Sequence, residues 1–86
     1  MMRNFKLDQY EVTVKDYNSN FQIFIDGDSK SMPYDDCDDF NTNENAEAAY
    51  DEIIDFFNLE LSQEASEKLM DELKSLYYPH SSEIFA

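Results

Sequence analysis

Two hydrophobic periodicities divide the chain. Near its start Tyr10, Val12 and Val14 alternate with Glu11, Thr13 and Lys15, and Phe21, Ile23 and Ile25 alternate with Gln22 and Phe24. A repeat of two puts alternate side chains on opposite faces of a strand. The intervening Asp16-Tyr17-Asn18-Ser19-Asn20 is rich in turn formers, so residues 9–25 read as a β-hairpin. Asp26-Gly27 is a two-residue turn signal. A third strand over about 28–34 would complete a meander, held to an edge because Pro33 has no N–H for a further neighbour. Phe5 and Leu7 are out of phase with Tyr10, so residues 3–8 are expected to be a separate segment or to precede a bulge.

From residue 44 the repeat lengthens. Ala46, Ala49, Tyr50, Ile53, Ile54 and Phe57 fall at offsets of 3, 4, 7, 8 and 11, one stripe of an α-helix over 44–58, with Phe56 off the stripe. Asn41-Thr42-Asn43 supplies cap candidates ahead of it. Ser62 is positioned to cap a second helix over about 63–78, with Ala65, Leu69, Leu73, Leu76 and Tyr77 inward and Pro79 ending it. Ile84 and Phe85 lie in a tail expected either to dock or to fray. The expected architecture is a single α+β domain, a small antiparallel hairpin or three-stranded meander packed against two C-terminal helices. Its parts are a meander at 9–34, an acidic loop at 35–43, helices at 44–78 and a tail at 79–86.

Charge changes this picture from a fold into a question about partners. The 86 residues carry 20 Asp and Glu against 6 Lys and Arg, a net −14. With 42% apolar and 15% aromatic residues the chain is too hydrophobic for an acidic disordered tail. So acidic a surface excludes direct nucleic-acid binding, which needs Lys and Arg to displace counterions, and excludes a polybasic membrane-surface protein. A single cysteine excludes an intrachain disulfide and fits a reducing compartment. After Met1-Met2-Arg3 the sequence turns polar, which predicts no signal peptide and a cytoplasmic protein.

The charge is also unevenly placed. Residues 1–30 hold four cations and five acids, a net −1, while residues 31–86 hold two lysines and fifteen acids, a net −13. On the first predicted helix Glu44, Glu47, Asp51 and Asp55 recur at steps of 3, 4 and 4 opposite the apolar stripe, with Glu52 beside them. Glu60, Glu64, Glu67 and Asp71 repeat a 4, 3, 4 spacing, with Glu60 just before the second helix. Like charges four apart destabilise a helix by a few tenths of a kcal/mol each, and Glu64–Lys68 is the one well-oriented opposite pair. Ordinary solvated faces intersperse both signs.

Enzymatic chemistry is not expected. Cys37 sits among Asp35, Asp36, Asp38 and Asp39, whose charge disfavours a thiolate, and it is expected on the surface together with its loop. His80, the one histidine, is expected in the tail. No CxxC or histidine pair offers a transition-metal site, and Gly27 alone makes no phosphate loop. Asn41, Asn43, Asn45 and Glu52 approximate a calcium loop but place Ala46 where the turn glycine belongs. No cofactor is expected.

The cation-depleted double stripe points instead to a surface that imitates a nucleic-acid backbone. The expected contact residues are Asp35, Asp36, Asp38 and Asp39 in the loop, Glu44, Glu47, Asp51, Glu52 and Asp55 on the first helix, and Glu64, Glu67 and Asp71 on the second. Tyr34, Phe40, Phe56, Tyr77 and Tyr78 are candidate apolar anchors, with core packing the competing role, above all for Tyr77. The plain alternative is a merely soluble acidic face. Another is an interaction module, such as an antitoxin, an immunity protein or a phage regulatory subunit, binding through a patch of Phe56, Tyr78, Ile84 and Phe85, and a third is a calcium-binding acidic domain.

The clusters Asp35-Asp36-Cys37-Asp38-Asp39 and Glu44 through Asp55, the small size and the sheet followed by helices carry a resemblance of general character. The chain resembles the small acidic inhibitors that phages and mobile elements use against host nucleases, the antirestriction DNA mimics and Cas9-blocking anti-CRISPR proteins. That resemblance implies a non-enzymatic inhibitor whose partner is a cationic nucleic-acid-binding protein, such as a CRISPR effector or restriction enzyme. Tyr77-Tyr78-Pro79 is also similar to the Tyr-Tyr-Pro of colicin DNase immunity proteins, all-helical inhibitors from whose pattern the rest of this chain departs.

Overall fold

A computed structural model describes residues 1–35 and 37–81, with the backbone alone at Asp38. Asp36, the Asp38 side chain, Ile84 and Phe85 therefore lie outside the described residues. The architecture is α+β. Four antiparallel strands, β1 (Met2–Leu7), β2 (Tyr10–Asp16), β3 (Asn20–Ile25) and β4 (Asp28–Pro33), form one sheet in chain order. Two helices follow, α1 (Thr42–Phe57) and α2 (Gln63–Tyr77). The meander is thus one strand larger than expected, and residues 3–8 belong to β1 with neither a separate segment nor a bulge.

The phase change that hid β1 has a simple cause. Leu7 pairs directly with Tyr10, so only Asp8 and Gln9 form the turn. Directly opposed residues in an antiparallel pair share a face, so a two-residue turn moves the inward set from odd to even positions. Asp8 supplies the positive φ such a turn needs, at 56°. The Asp26-Gly27 turn places both residues at positive φ, 51° and 86°, the conformation for which Asp-Gly is favoured. Pro33 closes β4, an edge strand as expected.

One face of the sheet is covered. Leu7, Val12, Val14, Phe21, Ile23, Ile25 and Met32 point into a core completed by Ala46, Ala49 and Ile53 of α1 and Leu69, Leu73, Leu76 and Tyr77 of α2. α1 lies over the β4 side and α2 over the β1 side. Asn45, near the start of α1, reaches Ser81 beyond the end of α2, so the helices run antiparallel as a hairpin. Among the described residues no element covers the opposite sheet face, which is nearly neutral. It carries side-chain pairs such as Thr13–Asn4 at 2.7 Å and Gln22–Ser29 at 3.1 Å, with Lys15 Nζ 5.2 Å from the Phe24 ring centroid.

The junction between loop and helices is more ordered than its composition suggests. Phe21, Tyr34 and Tyr77 form an aromatic trio with centroids 5.4–5.7 Å apart. His80 leaves the expected tail and stacks on Tyr34 at 3.9 Å, in the short 3-10 turn Tyr78–His80 that follows α2. Burial, reinforced by the Asp16 carboxylate that accepts its hydrogen bond, pushes the Tyr34 hydroxyl well above its usual pKa. Cys37 is buried rather than on the surface, because the 3-10 turn Cys37–Asp39 rotates its side chain onto the core. Tyr34 and Tyr77 are core residues, 7% and 4% exposed, and so do not act as surface anchors. Among the described residues no helix is long and apolar enough to cross a membrane.

Caps fix both helices. Asn41 accepts from the Glu44 N–H at 2.8 Å and donates back to Glu44 Oε1 at 2.7 Å, a reciprocal closure of the first turn. Ser62 accepts from the Ala65 N–H, while its own N–H and hydroxyl both donate to Asp8, each at 2.7 Å. Those two bonds tie the β1–β2 turn to the start of α2. They hold the Asp8 carboxyl below the usual carboxylate range, through the backbone N–H first and the hydroxyl second. A depressed pKa contributes stability that is present above the unfolded value and lost as pH falls through the folded one. Asp8→Asn is expected to lower Tm near neutral pH. The gap between variant and parent should then close as the pH drops below about 4, which thermal melts across that range would show.

Candidate functional site: an anionic helical face

The sheet claims the apolar side of each helix, so the carboxylates are left pointing away from it. On α1, Glu44, Glu47, Asp51 and Asp55 are all exposed and stand opposite the buried Ala46, Ala49 and Ile53. They extend over about 16 Å of helix axis at 1.5 Å per residue. No cation lies within α1. On α2, Glu64, Glu67 and Asp71 are exposed opposite Ala65, Leu69 and Leu73. Glu60 lies in the connection before α2. Because both helices rest on one side of the sheet, the two rows form a single outer face about 8–10 Å between axes. From Thr42 to Tyr77 ten carboxylates face two lysines, a net −8, whereas Met2–Pro33 sums to −1 from four cations and five acids.

Two of the sheet's cations, Arg3 and Lys30, reach across to the flanks of the helices rather than to this outer face. Arg3 pairs with Glu72 at 3.0 Å and donates to Ser75 at 3.0 Å, joining β1 to the flank of α2. Lys30 lies 4.0 Å from Glu52 and 5.0 Å from the Phe56 ring centroid. Lys74 lines the shallow cleft between the helices with Glu67 and Asp71. Such partly exposed pairs contribute roughly 0–1 kcal/mol each, so they position elements more than they stabilise them.

The acidic loop joins this face at one place. Asp35 and Asp39 are exposed, and Asp35 borders a groove of about 490 Å³ that Glu44 and Glu52 also border. Met32, Ala49 and Tyr77 lie beneath them. The groove draws on β4, the loop, α1 and α2, and no local pattern in the sequence marks it. Of the candidate anchors, Phe40, Phe56 and Tyr78 are exposed at 44%, 52% and 55%. Phe56 packs edge-on to Phe57 and beneath Lys30.

Two of the three asparagines of the approximate calcium loop have other duties. Asn41 caps α1, and Asn45 is buried, its amide nitrogen donating to the Cys37 and Phe40 carbonyls and to Ser81 Oγ. Among the described residues no three His, Cys, Asp or Glu side chains are grouped to hold a metal ion.

The spacing of the α1 row has a measurable cost. Glu47–Asp51 and Asp51–Asp55 are like-charged i,i+4 pairs, and Asp51→Lys makes both opposite. The variant is expected to be more stable than the parent by roughly 0.8–2 kcal/mol at low salt, since each pair turns from about 0.2–0.5 kcal/mol unfavourable to about as much favourable, with the gain shrinking as salt is added. Urea melts at two ionic strengths measure it. Comparison with protein-family models, curated proteins and solved structures finds no match to this chain.

Proposed function

We propose that the protein is a non-enzymatic, stoichiometric inhibitor that mimics nucleic acid and occupies the cationic nucleic-acid site of a nuclease, such as a CRISPR effector or a restriction enzyme. The observation that carries this reading is the outer helical face. Seven exposed carboxylates in two rows are borne on rigid helices, with Lys68 and Lys74 as the cations of those helices. A surface kept acidic against its own repulsion gains nothing for the fold, as the expected effect of Asp51→Lys makes explicit. It does create a field that steers a cationic partner and selects against anionic ones. Docking would release the anions held in the partner's channel, as DNA does. The exposed Phe40, Phe56 and Tyr78 would add apolar contact, and the near-neutral outer sheet face would stay clear of the partner. The site of action would be the cytoplasm of the cell that holds the nuclease.

The test is binding and inhibition with purified Cas9-type effectors and restriction enzymes. Affinity is expected to fall steeply with salt, duplex DNA is expected to compete, and the protein alone is expected not to bind DNA. Asp51→Lys with Asp55→Lys should weaken binding by about tenfold or more while the fold persists. Binding that is salt-insensitive, or that coexists with bound DNA, contradicts mimicry and favours an apolar interaction module.

A further inference from the structure

We propose that the groove between β4 and the start of α1 is a subsite for an arginine side chain of the partner. The inference rests on the nucleic-acid-mimic reading, whose partner is cationic, and adds to it a defined anchor point. The groove encloses about 490 Å³, within the range of pockets that seat small ligands. Its floor is apolar, formed by Met32, Ala49 and Tyr77, and its rim carries Asp35, Glu44 and Glu52. That division matches a long cationic side chain, whose methylene stem covers apolar surface while its head seeks carboxylates. A planar guanidinium suits this better than an ammonium, because it stacks on aromatic faces and donates to carboxylates through a fixed fork; Phe40 lies in the groove wall.

Two further features fit. Ala48, exposed on α1, lines the groove with a small side chain and leaves the entrance wide. Lys30 of the same chain already leans toward the rim, but stops 4.0 Å from Glu52, leaving that carboxylate 61% exposed and able to take a closer cation.

The probe is the capped peptide Gly-Arg-Gly, followed by amide chemical shifts, with the same peptide carrying norleucine as an uncharged control. The arginine peptide is expected to shift Met32, Asn45, Ala48 and Ala49 and to saturate near about 1–10 mM, ordinary for a single-residue contact. The norleucine peptide should bind at least about fivefold more weakly. Ala48→Trp fills the groove without changing charge and should abolish the shifts. Should that variant not fold, Glu44→Gln with Glu52→Gln keeps the groove's shape and should weaken binding about tenfold. Shifts spread equally over Glu64, Glu67 and Asp71, equal binding of both peptides, or shifts that survive these variants overturn the subsite. The two readings fail separately. If Ala48→Trp still binds the nuclease as the parent does while Asp51→Lys with Asp55→Lys does not, mimicry stands and the anchor is wrong. If the charge reversals leave nuclease binding intact, mimicry itself fails.

Discussion

The structure depends on the burial of one face of a four-stranded meander under a helical hairpin. That burial decides where every charge goes. Each helix has one apolar stripe, and the sheet takes it. Positions opposite the stripe must face solvent, and in α1 these are Glu44, Glu47, Asp51 and Asp55. The hydrophobic effect, which is non-directional, thereby produces a directional electrostatic field. The core must also hold against that field, since a chain of this length has no disulfide and limited area to bury.

The ties that complete the fold are local and polar. Asp8 joins the first turn to the cap of α2. Arg3 joins β1 to the side of α2. Asn45 and Ser81 close the far end, with Ser81 donating to the Tyr77 carbonyl at 2.7 Å. Each lies at an edge of the helical layer, and its outer face is left to the carboxylates.

Much of this was legible in the sequence, and the exceptions share a cause. The alternation in β2 and β3, the Asp26-Gly27 turn, the edge position of the strand ending at Pro33, the Ser62 cap and both helical stripes are local signals, and the structure follows them. β1 was hidden because a two-residue turn inverts the phase of the inward set, and phase is what the eye follows. Nothing local announces the aromatic cluster, so the sequence leaves Tyr34 between anchor and core and puts His80 in a tail, just as it puts Cys37 on the surface. The cluster assembles Phe21 from β3, Tyr34 from the loop, Tyr77 from the end of α2 and His80 from the turn beyond it. Asp35–Asp39 reads as a solvated run, and the 3-10 turn inside it buries a thiol between the exposed Asp35 and Asp39. For the candidate site, the positions of the carboxylates could be read from spacing, whereas the groove beside them could not.

The account turns on the field being one-sided, and that can be measured on the protein alone. Amide proton relaxation enhancement by cationic and anionic paramagnetic cosolutes gives the near-surface potential residue by residue. The account predicts the most negative values at Glu47, Asp51 and Asp55 and values near zero on the outer sheet face at Asn4, Thr13, Phe24 and Ser29. A potential of similar depth on both faces would contradict it.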